Sequence, residues 1–437
     1  MTFDPIYQGK LLSPDSAARL IPSGTGIVMG MALAEPPALL SAMSGLLDRG
    51  ELADIRLYYF HSTPHAAATV LRYEVMDRVK PVCFFLGAAE RALMDRASKD
   101  ARQVVSYMPC AFSEAPRLME GIAGLDTVIA VASPMDAHGY FTLGTSNDYT
   151  FPMAQRAKRV ILEVNRHMPR VRGSAIHISE VTAVVENHQP LLVGPAKTPV
   201  EQDLTIAKLI AGHIQDGACL QVGIGSLPEA VCDAIHDRRH LGIHTELLSP
   251  GLVKLIRSGA VTNQRKAVGQ GRSIFTFAVG DADLFDFIDD NPGVDSRPVN
   301  HVNNPSVIAR NPQVVSVNAA LQIDLSGACN AEHLSGRQYS GSGGQLDFVR
   351  GANASHGGKS FIACHSTAKD GTLSRLVGRL DGPVTTPRND THFVATEFGC
   401  VDLKGMSIDN RAKAIIQLAH PSFRGALTLE ARHLGLI

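Results

Sequence analysis

One five-residue pattern occurs twice in this chain at a single spacing. Ile21, Gly24, Ile27, Gly30 and Ala32 correspond to Ile214, Gly217, Leu220, Gly223 and Gly225, each pair 193 residues apart. A Pro and an Ala follow in both copies, Pro36 and Ala38 against Pro228 and Ala230, with one residue of slippage. Each copy reads as helix, Gly turn, apolar strand, Gly-rich turn and helix. Any helix–turn–strand unit yields some matches by chance, but the shared turns favour a duplication, and a duplicated unit implies two related domains. Elsewhere the chain alternates short apolar runs with amphipathic stretches. Thr127-Val-Ile-Ala-Val-Ala, Arg159-Val-Ile-Leu-Glu-Val and Val314-Val-Ser-Val-Asn suit buried parallel strands, and the segments between them suit helices. The fold class is therefore α/β. The polar, Pro-bearing stretch from Asn187 to Asp203 reads as a linker, which places the domains at 1–194 and 195–437.

Composition narrows the function classes. With 41 Lys plus Arg against 42 Asp plus Glu among 437 residues, no basic excess is present for a nucleic-acid backbone. The seven Cys form no C-x-x-C pair and their number is odd, so reduced buried thiols are expected rather than a disulfide framework or structural zinc. No apolar run reaches the roughly 18 residues of a membrane span, and the N-terminus has no basic-then-apolar signal pattern. The expectation is a soluble cytoplasmic protein with neither nucleic acid nor membrane as partner.

Several stretches carry possible chemistry. Gly223-Ile224-Gly225-Ser226-Leu227-Pro228 follows an apolar run and opens a helix. Such a loop is either a plain tight turn or a cradle that offers helix N-terminal N–H groups to a phosphate or thioester. Pro228 stands where a dinucleotide fingerprint wants its third Gly. Glu246 falls between a strand ending near Ile243 and a helix started by Ser249-Pro250. Strand carboxyl ends are where open α/β sheets bind ligands, yet spacing alone reads Glu246 first as a solvent-facing loop carboxylate. Ser340-Gly-Ser-Gly343-Gly344 exposes successive N–H groups suited to an oxyanion, with Arg350 and Lys359 as nearby cations. Gly357-Gly-Lys-Ser360 fails as a nucleotide P-loop because Asn353 stands where its first Gly belongs. Asn303-Asn304-Pro305 reads as a turn signal, and Glu397 as another strand-end carboxylate. His61 and His65 flank Pro64 with no third ligand nearby, so no metal site is expected.

Taken in order, Ser133-Pro-Met-Asp-Ala-His-Gly-Tyr-Phe-Thr-Leu-Gly144, Glu163-Val-Asn-Arg-His-Met-Pro169, Gly242-Ile-His-Thr-Glu246, Arg297-Pro-Val-Asn-His-Val-Asn-Asn-Pro305, Gly343-Gly-Gln-Leu-Asp-Phe-Val-Arg-Gly-Ala352 and Ala395-Thr-Glu-Phe-Gly399 resemble the acetyl-CoA hydrolase/transferase family, with 4-hydroxybutyrate CoA-transferases the nearest in flavour. The resemblance spans nearly the whole chain. It implies two related open α/β domains of the CoA-transferase type, with Glu246 as nucleophile. It further implies Gly223, Ile224, Gly225, Ser226 and Leu227 as part of the CoA cradle, Gly343 and Gly344 at the thioester oxygen, and Asn303 and Glu397 lining the active site. Lys359 is assigned to a CoA phosphate from its charge and loop setting. The implied reaction moves CoA between short-chain carboxylic acids through a glutamyl-CoA thioester. It uses acyl-CoA and carboxylates as substrates and needs no tightly bound cofactor or metal. A homodimer is the family expectation. The alternative is an acetyl-CoA hydrolase that uses the same Glu246 with water as acceptor. A CoA-sensing regulator and a sugar-phosphate isomerase on a related fold account less well for these motifs.

Overall fold

The computed structural model describes residues 3–194 and 198–437. The chain divides into two compact units. The first comprises residues 1–194 and 275–301, the second 195–274 and 302–437. The expected cut beside residue 195 adjoins residues 195–197, which lie outside the described residues. The stretch 275–301, expected in the C-terminal domain, belongs instead with the first unit. Its backbone groups need partners and find them there. Asn147 N donates to the Thr276 carbonyl at 3.0 Å, Ala278 N to Thr145 at 2.7 Å, and Ser296 N to Arg172 at 2.8 Å.

The first unit is built on a parallel sheet of β1 (Gly26–Met29), β2 (Ile55–Tyr59), β3 (Val79–Cys83), β4 (Ser106–Tyr107), β5 (Leu125–Ala132), β6 (Arg159–Val164) and β7 (Ala183–Glu186). The strand order is β4-β3-β2-β1-β5-β6-β7. Helix α1 (Pro37–Asp48) follows β1. Its Leu39, Leu40, Met43 and Leu47 pack with Ile27, Leu57, Ile129 and Ile161 of the sheet, each contributing about 1.5–3 kcal/mol by burial. Glu163 on β6 accepts hydrogen bonds from Leu39 N at 2.9 Å and Asn187 Nδ2 at 2.7 Å. A buried carboxylate thus meets unpaired amides at the start of α1, which gives this motif residue a structural task.

The second unit repeats the plan. Helix α2 (Glu201–Ala211) leads to β8 (Cys219–Val222), then α3 (Ser226–Ala234), β9 (Gly242–Ile243), α4 (Pro250–Arg257), β10 (Val314–Ala319), α5 (Gln345–Ala354), β11 (Lys359–Ala363), β12 (Phe393–Thr396) and β13 (Gly399–Asp402). The sheet order is β9-β8-β10-β11-β12-β13, parallel except at the β12–β13 edge. The repeat read from sequence superposes on this topology. β1 and β8 begin 193 residues apart. Gly24 and Gly217 turn with nearly the same backbone angle, φ +82° and +86°. Each repeated strand is the one from which the chain steps to one side and later returns on the other. In open α/β sheets that reversal is where a crevice forms at the strand carboxyl ends.

All seven cysteines are free thiols, six of them buried. Among the described residues, no helix is long and apolar enough to cross a membrane. Also among the described residues, no three His, Cys, Asp or Glu side chains are grouped to hold a metal ion.

Candidate active site

Glu246 lies just past β9, between Thr245 and the two-residue strand Leu247–Leu248. Its neighbours fix it through the backbone. His244 N donates to Leu220 at 3.1 Å and Thr245 N to Ile274 at 2.9 Å, while Thr245 Oγ1 donates to the Leu247 carbonyl at 2.9 Å. The His244 ring nitrogen Nε2 reaches the Val302 carbonyl at 2.8 Å. That contact ties the Glu246 segment to the residue before Asn303. Asn303 Nδ2 then donates to Glu246 Oε2 at 2.6 Å.

The third element is α5. Gly344 is its N-cap residue, and the Gly344 N–H donates to the Glu246 carboxylate. An N-terminal amide carries partial positive charge and lacks an intrahelical acceptor, so it favours an anion. The helix is seated by Phe348 and Ala352, which share a buried cluster with Val302 and Ile308. The fit at the tip is close. A Cβ on residue 344 would fall 1.8 Å from Glu246 Oε2 and 2.1 Å from Asn303 Nδ2. Only Gly permits the carboxylate, the amide side chain and the helix start to meet.

The electrostatics follow from this packing. Desolvation pushes the Glu246 carboxyl up to about 7 from the ordinary 4.5. The Asn303 donor pulls it back, the nearby Asp347 carboxylate pushes it further up, and the Gly344 amide again favours the ion. A carboxylate poised near neutrality, partly stripped of water and aimed by two donors, has the character of a nucleophile.

The glycine loop Gly223–Leu227 sits at the reversal point of the sheet, at the carboxyl end of β8. Gly223 N donates to Val317 of β10 at 3.2 Å, Gly225 is the N-cap of α3, and Ser226 is its first residue. Ile224 between the two glycines is 68% exposed. The loop is therefore open rather than filled by its own chain. A network with no local signature in the chain braces it. Asp203, buried at the start of α2, accepts from Val200 N at 3.1 Å, from the Ser226 side chain, and from His365 Nε2 at 2.7 Å. Residues 162 apart in sequence have no periodic signature, so pattern reading had no handle on this contact.

Two further expected site residues have partners of their own. Glu397 follows β12, which lies four places from β9 in the sheet order. Its carboxylate accepts from Ser366 N at 2.9 Å and from Ser366 Oγ at 2.5 Å. Lys359 opens β11 at its amino end, and its Nζ donates to the His213 carbonyl at 2.8 Å. A strand's first residue lies away from the carboxyl-end crevice, which is why the assignment to a CoA phosphate lacks support here. Arg350 is likewise engaged, paired with Asp390 at 3.3 Å. Asn304 does serve as the turn signal, its side chain capping Ser306 N at 2.9 Å, while its neighbour Asn303 turns to Glu246.

Comparison with known proteins places this architecture. The acetyl-CoA hydrolase/transferase N-terminal domain matches residues 3–193 and the C-terminal domain of the same family matches residues 280–431. The chain belongs to the acetyl-CoA hydrolase/transferase family and is a CoA-transferase by class. Over 98% of its length, and 99% of the other protein's, it is 38% identical to the 4-hydroxybutyrate coenzyme A transferase of Clostridium kluyveri. It is 40% identical to the succinyl-CoA:cyclohexane-1-carboxylate CoA transferase of Geobacter metallireducens, over 100% of this chain and 98% of that protein. Among solved structures, RipA from Yersinia pestis matches with a TM-score of 0.98 and 54% identity across the whole of both chains.

Proposed function

We propose that this protein moves CoA between short-chain carboxylic acids, with Glu246 as the covalent carrier. Acetyl-CoA with 4-hydroxybutyrate or butyrate is the first pair to test. The observation that carries the reading is the Glu246 carboxylate, held by Asn303 and the α5 amide and raised to about 7. Relatives acting on 4-hydroxybutyrate and butyrate support the substrate class.

In the first step a Glu246 oxygen attacks the acyl-CoA carbonyl carbon. The C–S bond breaks, CoA leaves as thiolate, and a mixed anhydride joins Glu246 to the acyl group. The thiolate next attacks the Glu246 carboxyl carbon, and the first acid departs as its carboxylate. A glutamyl-CoA thioester remains. A second carboxylate reverses these steps and leaves as the new acyl-CoA, which gives ping-pong kinetics. One carboxylate thioester replaces another, so the equilibrium is near balance without ATP. When the glutamyl carbon becomes tetrahedral, its oxyanion occupies the place of the carboxylate oxygen. The Gly344 N–H and Asn303 Nδ2 that aim the nucleophile then stabilise the charge that develops there, a contribution of about 3–4 kcal/mol per donor in comparable sites. The open Gly223–Leu227 loop, braced by Asp203, receives the CoA chain. The cytoplasmic setting and the homodimer implied by family resemblance belong to the same reading.

Trapping tests it. Incubation with acyl-CoA followed by borohydride should convert Glu246 to a reduced residue detectable by peptide mass spectrometry. An active enzyme with Glu246 unmodified would overturn the mechanism. Product analysis with acetyl-CoA in the presence and absence of butyrate separates transfer from hydrolysis. Free acetate formed at equal rates without butyrate would favour water as acceptor.

A further inference from the structure

The stretch Arg297–Pro305 contains two basic residues, Arg297 and His301, that acyl transfer leaves without a task. Both line a cavity of about 390 Å³, together with Arg172, Gly173, Ser174 and Asp295. All of these residues belong to the first unit.

The cavity wall is built backbone against backbone. Gly173 bridges Ser296 in parallel, and Ser296 N donates to the Arg172 carbonyl at 2.8 Å. The approach is so close that a Cβ on residue 173 would lie 1.8 Å from the Ser296 carbonyl oxygen. This crossing sets Arg172 and Arg297 on two adjoining segments, one residue before Gly173 and one after Ser296. Asp295, only 2% exposed, orients the second arginine. Its Oδ2 accepts from Arg297 Nε at 3.0 Å and from Nη2 at 2.7 Å. A guanidinium has five N–H donors, so this clamp fixes its plane and leaves the others for a ligand. Arg172 is exposed, and among the described residues no hydrogen bond or ion pair holds its guanidinium. Two arginines against one aspartate leave the cavity positive before His301 is counted.

We infer that this cavity is a binding site for a phosphate group carried on a nucleotide-sized ligand. A carboxylate has two oxygens, and one arginine fork satisfies them. A phosphate presents three or four oxygens in a tetrahedral array, enough for two guanidinium groups arriving from separate segments and for the Ser174 hydroxyl. The volume exceeds that of a lone ion and leaves room for the group the phosphate is attached to. The same chemistry has two sources, the 3′-phosphate of CoA or a separate phosphorylated metabolite. The CoA source rests on the acyl-transfer reading above.

The test uses the full-length protein and the variants Arg172→Ala and Arg172→Lys. Arg297 is left intact because its removal would strand buried Asp295. Calorimetric titration with adenosine 3′,5′-bisphosphate, inorganic phosphate and, as a dicarboxylate control, succinate should show phosphate-ligand binding. That binding should weaken about tenfold or more in Arg172→Ala, as expected for losing charge-assisted hydrogen bonds, with Arg172→Lys in between. If CoA is the source, the Arg172→Ala change raises KM for CoA but not for dephospho-CoA. If a separate metabolite is the source, phosphate-ligand affinity falls while both KM values stay put. Either result supports the site. No binding of either phosphate ligand, equal binding by wild type and Arg172→Ala, or a preference for succinate would overturn it. Borohydride trapping of Glu246 in the unaltered protein is read independently, so failure of this inference and failure of the acyl-transfer reading are distinguishable.

Discussion

The Gly344→Ala substitution isolates the geometry of the candidate nucleophile. Residue 344 has φ −97° and ψ 9°, a backbone that Ala adopts without strain, so the perturbation is one methyl group and its position. The new Cβ would sit 1.8 Å from Glu246 Oε2 and 2.1 Å from Asn303 Nδ2. Carbon and oxygen in ordinary contact keep about 3.3 Å or more, so the carboxylate must retreat by roughly 1.5 Å. Misplacement of about 1 Å costs on the order of a hundredfold in rate, about 2.7 kcal/mol of transition-state stabilisation. The methyl group also severs the hydrogen bond between the Gly344 amide and the carboxylate. The expected result is a loss of kcat/KM for acyl-CoA of a hundredfold or more, with the glutamyl adduct no longer trapped by borohydride. Near-UV circular dichroism should stay native, because the clash is confined to two movable side-chain tips, those of Glu246 and Asn303. A variant that transfers CoA within threefold of wild type and still yields the trapped adduct would refute the assignment of Gly344 as the surface against which the nucleophile is aimed.

Other perturbations follow from the same contacts. Because Glu246 titrates near 7 and attacks as the anion, kcat/KM for acyl-CoA should rise with pH through an inflexion near 7 and level off above it. Asn303→Ala removes a donor that favours the ion, so the inflexion should move upward; a wild-type profile flat from pH 5.5, or a downward move, argues against the role. Stability should answer to the same group with opposite benefit. A carboxyl raised in the fold is disfavoured as the ion, so its penalty is absent below about 4.5, grows between about 4.5 and 7, and is complete above. Glu246→Gln should therefore be more stable than wild type at pH 8 by about 1–2 kcal/mol, after solvent screening at the partly exposed tip, and should lose that advantage at pH 4; denaturant melts at both pH values check this. Lys359→Ala should leave KM for CoA within twofold, since the ammonium is committed to the His213 carbonyl; a tenfold rise would restore it as a phosphate ligand.

Local signals in the chain were legible wherever one segment determined the outcome. The run Arg159–Val164 forms the whole of β6, and Val314–Asn318 lies in β10, because β-branched residues in short apolar runs suit strands buried on both faces. The glycine before each central strand marks it because the positive φ at Gly24 and Gly217 needs a residue without a Cβ penalty. Glu246 was within reach as a strand-end carboxylate, but spacing alone favoured a solvent-facing loop; its burial depends on α5, whose N-cap Gly344 lies 98 residues further on (344 − 246) and leaves no mark near Glu246. Asn303 read as a turn residue for a parallel reason. Its partner Asn304 does cap the following turn, and only the tertiary contact turns Asn303 to Glu246. Lys359 is near a glycine loop in sequence but stands at the amino end of its strand in space. Proximity along the chain says little about which end of a parallel sheet a residue occupies. The assignment of 275–301 to the first unit was out of reach for the same reason, since its partners at 145–148 and 170–173 are far upstream.

The two copies of the repeated unit share a fold but not an opening, and glycine surroundings show why. After β1, the turn at Gly30 is occupied by its own chain. A Cβ there would lie 2.5 Å from the Ala34 carbonyl oxygen, and Met31, Leu33 and Ala34 are buried around it. After β8, a Cβ on the corresponding Gly223 would have its nearest neighbours at 3.7 Å and 3.9 Å, on Val317 and Pro228, and Ile224 stands exposed beyond it. The neighbouring strands diverge in the same sense. β2 runs into Phe60 and His61, where burial lowers the imidazole to about 4 and leaves it neutral at physiological pH, whereas β9 runs into Glu246 with a carboxyl raised to about 7. Duplication therefore supplied two equivalent sheet reversals, and substitution closed the glycine turn of one while leaving that of the other open beside the carboxylate proposed as nucleophile. A fold of this kind predicts where a crevice can form. Which copy carries the chemistry is decided by a few side chains at the strand ends, and the proposed reaction uses those of the second.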